Sequence, residues 1–226
     1  MSTHTIAIIV AGGSGTRAGG TLPKQFVEIN KKPILAYTVD KFENSIYVRE
    51  IVIVVSGNYL EEAKRIVCHY GYTKVSAVVE GGETRQQSVF NGLKHAKKLD
   101  YRYVLIHDAA RPFVTDNDIR KISERIAETG CAILTVPVTD SVKNIDKAGN
   151  VTTLNRDDLY AVQTPQGFDL QLLLKAHEEA VSCGFSGYDD AVLTERIGVK
   201  TKLVHGGYHN FKITTAQDMI LAKFLL

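Results

Sequence analysis

The run Ile6-Ala7-Ile8-Ile9-Val10, followed at once by Ala11-Gly12-Gly13-Ser14-Gly15-Thr16-Arg17, constrains the chain more than any other stretch. Five consecutive apolar residues suit a strand buried on both faces of a parallel sheet. The loop then lies at that strand's carboxyl end. Its closely spaced glycines leave backbone N–H groups unobstructed and permit positive φ, so successive amides can turn inward around an anion. Arg17, and Lys24 in the following Leu22-Pro23-Lys24-Gln25, add two cations to the same stretch. A site that holds several phosphate oxygens and offsets charge developing on one of them needs both features. Read alone, the stretch also suits a plain glycine turn with solvated cations.

Two other phosphate loops fit less well. A Walker A loop requires Gly-Lys-Ser/Thr after its glycines, where this chain has Gly15-Thr16-Arg17. The spacing Gly13-x-Gly15-x-x-Ala18 does match the dinucleotide fingerprint. That fingerprint opens a helix directly, and Gly19, Gly20 and Pro23 oppose one. The second apolar strand ends in Ser56-Gly57, without the acidic residue a ribose requires.

Hydrophobic periodicity then alternates along the chain. Helical spacing is predicted over 33–44, 59–70, 86–98, from Thr115 or Asp116 to Gly130, over 169–182 and 188–196, and after Thr214 or Thr215. Short β-branched runs predict strands at 51–55, 75–79, 103–106, 131–136, 201–204 and 210–213. Strands alternating with helices imply an α/β fold with a doubly wound, mainly parallel sheet, and residues 1–226 suit one large domain. After the fifth strand the alternation breaks. Residues 141–145 and 151–154 flank Asp146-Lys147-Ala148-Gly149-Asn150, which predicts a β-hairpin within an arm at 138–160. Such a hairpin is marginal alone and gains most by packing on another surface, here a partner subunit.

The 27 basic and 25 acidic residues nearly cancel, giving a net charge of +2, so no broad field for nucleic acid or an anionic membrane is expected. No targeting segment or membrane-spanning run is apparent. Cys68, Cys131 and Cys183 are scattered, which predicts reduced core thiols in a cytoplasmic protein. The predicted strand ends at 11–24, 81–85, 107–112 and 137–143 gather every cluster of glycine and charge on one edge. Ligands of open α/β sheets bind at that edge. Asp108, at one of these ends, is a candidate magnesium ligand beside a triphosphate, or else a cap of the next turn.

At these motifs the chain resembles the cytidylyltransferases of sugar-alcohol phosphates, above all the family acting on 2-C-methyl-D-erythritol 4-phosphate in isoprenoid precursor synthesis. The likeness runs through A-G-G-S-G-T-R, L-P-K-Q-F, G-G-E-T-R-Q-Q-S-V, H-D-A-A-R-P-F, N-R-D-D-L-Y, Q-T-P-Q-G-F and N-F-K-I-T-T-A-Q-D. It implies a Rossmann-like nucleotidyltransferase fold, CTP and a sugar-alcohol phosphate as substrates, Mg²⁺, and a homodimer whose arm reaches the neighbouring site. It also implies that Arg17 and Lys24 hold the CTP phosphates and that Ala11, Gly12, Gly13, Gly82, Glu83 and Ser88 form the cytidine pocket. Asp108 and Arg111 match the shared centre, and Lys212 with Arg156 of the partner's arm matches the grip on the acceptor phosphate. Ser141, Thr164 and Tyr188 fall at further substrate-binding positions. Three residues depart from the family pattern. Ser141 replaces Thr, Ala18 replaces Met, and Tyr188 places a large ring where a small hydroxyl is expected near the acceptor. The ribitol 5-phosphate cytidylyltransferases share most of these motifs. An inactive nucleotide-binding module and a hexose 1-phosphate nucleotidyltransferase are the more remote readings.

Overall fold

The computed structural model describes residues 5–13 and 22–226. The predicted phosphate-loop residue Arg17 and its neighbours at 14–21 lie outside the described residues. Strand β1 (Thr5–Ala11) is buried along its whole length, as an unbroken apolar run in a central strand should be. A two-strand ribbon, β2 (Glu28–Ile29) and β3 (Lys32–Pro33), precedes helix α1 (Ile34–Glu43). Strand β4 (Glu50–Val55), helix α2 (Leu60–Tyr70), strand β5 (Val75–Glu80), helix α3 (Arg85–Ala96) and strand β6 (Tyr103–Asp108) continue the predicted alternation. Helix α4 (Asp116–Thr129) is closed at its start by a reciprocal Thr115–Asp118 capping box and at its end by Gly130 at φ +75°. Strand β7 (Cys131–Pro137) leads into a hairpin of β8 (Lys143–Ile145) and β9 (Val151–Thr153), both exposed throughout. Strand β10 (Tyr160–Asp169), helices α5 (Leu170–Ser182) and α6 (Ala191–Arg196), strand β11 (Lys202–His205) and helix α7 (Ala216–Leu225) complete the chain.

The main sheet has seven strands in the order β11-β7-β10-β6-β1-β4-β5. Strand β10 is antiparallel to both of its neighbours, and every other pairing in that sheet is parallel. Side-chain alternation along β1 builds both halves of the core. Ala7, Ile9 and Ala11 pack with α1, α2 and α4, whereas Ile6, Ile8 and Val10 pack with α3, α5 and α6. Chain connections run from β1 to β4 on one side, while β6 lies on the other. The carboxyl ends of β1 and β6 therefore border a topological switch point, with Val10 in register with Asp108.

The structure corrects the sequence reading in four places. Strand β10 was not predicted, because Pro165 and Gly167 argue against a central strand. Pro165 falls in the register break between Val162 and Gln166, where its missing N–H interrupts no ladder. Gly167 is required by α4, since a Cβ there would lie 2.6 Å from Ile122 Cγ2 and 2.7 Å from Ile126 Cγ2. Residues 210–213, expected as a strand, are irregular and spend their backbone groups on the site instead. The helix expected from Tyr188 begins at Ala191. Of the three expected core thiols, Cys131 is buried, but Cys68 and Cys183 are exposed.

Candidate active site

A cavity of about 420 Å³ opens at the switch point. Ala11, Gly12 and Gly13 reach it from the exit of β1, Glu83 and Ser88 from the start of α3, and Lys24, Asp108 and Lys212 from three further segments. Sequence reasoning placed six of them at the nucleotide, Asp108 at the centre shared with the acceptor and Lys212 at the acceptor phosphate, and the fold brings all eight to one cavity. Ser88 Oγ accepts the N–H of Gly82 at 3.1 Å and donates to Thr84 O at 2.9 Å, which draws the 81–84 loop against α3. That approach leaves no space for a side chain at Gly82, where a Cβ would lie 2.4 Å from Gln87 Cβ. The first turn of α3, capped reciprocally by Thr84 and Gln87, directs its positive dipole end toward the same cavity.

The loop after β1 is held by a residue the sequence did not single out. Pro23 initiates a single helical turn, Lys24–Phe26, in which Gln25 is almost fully buried. Gln25 Nε2 donates to Ala11 O at 2.6 Å and to Gly13 O at 3.1 Å. One amide thus fastens the turn that carries Lys24 to the glycine loop.

Charge concentrates around Asp108. Arg85 Nε lies 3.1 Å from its Oδ1, while Lys212 Nζ lies 2.9 Å and Arg111 Nε 3.6 Å from its Oδ2. Burial alone would raise the Asp108 carboxyl, but Arg85, Lys212 and Arg111 outweigh it and hold the group well below the usual carboxylate range. Asp108 is therefore ionised. Arg85 also pairs with Asp190, Nη1 to Oδ2 at 2.7 Å, and His177 Nε2 lies 3.2 Å from the other oxygen of Asp190. Burial opposes the Arg85 charge, yet Asp190 and Asp108 raise its pKa above the ordinary value. Burial of Arg111 lowers its pKa despite Asp108.

Below this layer, burial lowers the pKa of His107 to about 3, so its imidazole is neutral. Its Nε2 faces Arg111 O at 3.1 Å, an atom that only accepts, so Nε2 carries the proton. Its Nδ1 then accepts the hydroxyl of Thr164 at 3.1 Å, and Thr164 Oγ1 accepts the N–H of Asp108 at 3.1 Å. Asn210 extends the floor, donating to Thr164 O at 2.9 Å and accepting Arg111 Nη1 on its carbonyl at 2.8 Å. Thr164 and Arg111, both expected at the site, are thus supports of Asp108.

Among the described residues, six of those expected do not line the cavity: Gly82, Arg111 and Thr164 adjoin lining residues, whereas Arg156, Ser141 and Tyr188 stand apart from it in their own chain. Arg156 is exposed on the arm and donates to Thr139 O at 3.0 Å, and Ser141 is exposed on the same arm. Tyr188 is fully solvent-exposed in the loop before α6. The sequence reading missed Gln25, Arg85, His107 and Asp190. Arg85 carried one legible signal, a cation directly after the Thr84 cap, where the helix dipole disfavours positive charge. Among the described residues no group of three or more His, Cys, Asp or Glu side chains could hold a metal, so Asp108 would be one of few protein ligands to a cation.

Comparison with known proteins extends the same pattern to the whole chain. Residues 5–226 match the family model described as IspD, 2-C-methyl-D-erythritol 4-phosphate cytidylyltransferase. A cytidylyltransferase of that description from Halalkalibacterium halodurans is 42% identical over 219 residues, which covers 97% of this chain and 95% of the relative. Another from Alkaliphilus oremlandii is 41% identical over 226 residues, covering 99% and 95%. The crystal structure of 4-diphosphocytidyl-2C-methyl-D-erythritol synthase from Anaerococcus prevotii superposes with a TM-score of 0.88 at 33% identity, covering 100% of this chain and 99% of the other. The Thermus thermophilus enzyme superposes at 0.80 with 29% identity, covering 100% and 98%. A glycine loop at the exit of β1, a carboxylate ringed by cations at the exit of β6, and full-length similarity all agree: the chain belongs to the 2-C-methyl-D-erythritol 4-phosphate cytidylyltransferase family.

Proposed function

We propose that this protein transfers CMP from CTP to the phosphate of 2-C-methyl-D-erythritol 4-phosphate and releases pyrophosphate. One observation carries the reading: Lys24, the amide-rich exit of β1 and the Asp108–Lys212 pair line one cavity at the switch point. In this reading the amides of Gly12 and Gly13 and the cations Lys24 and Arg17 take the triphosphate. The cytidine lies against Ala11, Gly12, Gly13, Gly82, Glu83 and Ser88. Lys212 faces the acceptor phosphate, while Arg111 and Thr164 hold Asp108 at the centre between the two substrates.

An acceptor phosphate oxygen attacks the α-phosphorus, and the bond from that phosphorus to the oxygen bridging the β-phosphate breaks. Pyrophosphate leaves with the electron pair. A phosphate monoester, with a second pKa of about 6, is already largely ionised near neutral pH, so the step needs no general base. The chain's work is to align two polyanions and offset their repulsion through fixed cations.

The residues suit Mg²⁺ delivered with the nucleotide. Asp108 lines the cavity but has Arg85 on one oxygen and Lys212 and Arg111 on the other, so the ion would be held mainly by nucleotide phosphates and water, with Asp108 reaching it through water. Bound there, the ion would supply further positive charge to the phosphates. We also propose a cytoplasmic homodimer in which the exposed arm carries Arg156 and Ser141 to a second copy's acceptor. The exposed Ile145, Val151 and Leu154 along the arm support that placement. Among the described residues no helix is long and apolar enough to cross a membrane.

The direct test is pyrophosphate release from CTP with methylerythritol phosphate and ribitol 5-phosphate in parallel. Turnover with the former is expected. Preference for ribitol phosphate would overturn the acceptor, and CTP binding without turnover on either would overturn the catalytic reading.

A further inference from the structure

Arg85 is the first residue of α3, at the end of a helix where a cation is disfavoured by the dipole. Its guanidinium is held there by two carboxylates distant in sequence, Asp190 at 2.7 Å and Asp108 at 3.1 Å. Asp190 is itself immobilised. It is 1% exposed, His177 lies 3.2 Å from its Oδ1, and its N–H donates to Gln166 Oε1 at 3.1 Å. Arg85 is therefore anchored from behind, with its Nε presented to one oxygen of Asp108.

The other oxygen of Asp108 faces Lys212 and Arg111, so three cations divide the charge of one carboxylate. They differ in how firmly they are placed. The side chains of Arg85 and Arg111 are 27% and 12% exposed, and each has further partners. The Lys212 side chain is 37% exposed, lies on the irregular 211–214 segment and, like Arg85, lines the cavity, but among the described residues it has no second carboxylate holding it from behind. Of the three, Lys212 loses least by turning from Asp108 to an arriving anion. How much it loses depends on how much of the Asp108 charge the other two have already taken.

We propose that Arg85 is a positioning residue: by occupying Oδ1 of Asp108, it weakens the hold of Asp108 on Lys212 and leaves that ammonium available to the phosphate monoester of the acceptor. The inference rests on the reading of Lys212 as an acceptor-phosphate cation. Without Arg85, the full carboxylate charge acts on Lys212 and Arg111, and Lys212 must break a stronger ion pair before it reaches the acceptor. The effect falls on acceptor binding, and it runs through Lys212.

A double-mutant cycle on the full chain separates this from a merely structural role. Acceptor KM and kcat are measured at saturating CTP and fixed Mg²⁺ for Arg85→Met, Lys212→Met and the double variant, with thermal unfolding recorded for each. Arg85→Met is expected to raise acceptor KM by about tenfold, the scale of one charge-assisted contact, and Arg85→Lys by less. In the Lys212→Met background, Arg85→Met should have no further effect on KM. Arg85→Met leaves Asp190 buried with one cation lost, so Arg85→Met/Asp190→Asn removes both charges together as a safeguard for folding and should raise KM equally. Additive effects in the cycle, or a fall in kcat at unchanged KM, would overturn the proposal while leaving the role of Lys212 intact. An acceptor KM unaffected by Lys212→Met would overturn both.

Discussion

Gln25 is the sharpest place to test how the phosphate loop is held. Its amide nitrogen serves two carbonyls, Ala11 O at 2.6 Å and Gly13 O at 3.1 Å, from a side chain 3% exposed. Gln25→Ala removes both hydrogen bonds, a net loss of about 1 kcal/mol each. Loss of this donor to the buried Ala11 carbonyl adds up to about 1–3 kcal/mol. Part of that loss appears as global destabilisation, and the remainder as a loop no longer ordered around the triphosphate. If about 2.7 kcal/mol falls on the loop, kcat/KM for CTP drops roughly 100-fold. Gln25→Glu should be worse than Gln25→Ala at neutral pH, because a carboxylate oxygen would then face both carbonyl oxygens. Protonation of that carboxyl restores one donor, so the gap between the two variants should narrow as the pH falls. Pyrophosphate release over a CTP titration, with thermal unfolding in parallel, measures all of this. A Gln25→Ala enzyme that unfolds cooperatively and keeps kcat/KM within about twofold of wild type would refute the argument.

Three further outcomes follow from the same structure. Burial alone would raise the Asp190 carboxyl, but Arg85 and His177 hold it below its ordinary value of 3.8. Its contribution to stability is then complete above the unfolded-state pKa and is lost as pH falls through that value toward the lower folded one. Denaturant titrations from pH 6 to about pH 3 should accordingly show wild type losing more stability than Asp190→Asn, and parallel curves would exclude this account. Gly92→Ala would place a Cβ 2.7 Å from Ile8 Cγ2 and 3.0 Å from Val54 Cγ2, where α3 meets the sheet. Overpacking of about 1–3 kcal/mol should outweigh the better helix propensity of Ala and lower Tm, and an unchanged Tm would show that the contact relaxes. Arg156→Ala should impair acceptor use, and mixing it with Arg17→Ala should regenerate one competent site per mixed dimer. Mixed dimers without recovered activity would argue against an arm that crosses between subunits.

Much of the fold was legible because its signals are local. The apolar run before the glycine loop, the caps at Thr115 and Thr215, and the stop at Gly130 each declare themselves within a few residues. The strand-end clusters were legible for the same reason, since each lies directly after its strand. Strand β10 was hidden because Pro165 and Gly167 are strand breakers by local rules, and their permission to stay comes from a register break and from the close approach of α4.

The sequence by itself determined that a glycine-rich loop follows the first strand and that Lys24 and Asp108 carry charge at or just beyond strand exits. Only the tertiary structure decided which charges meet. Arg85 and Asp190 are 105 positions apart, and Thr164 and His107 are 57 apart, so no local pattern reveals either contact. Ionised groups at such separations become partners when burial withdraws the water that would otherwise solvate each alone.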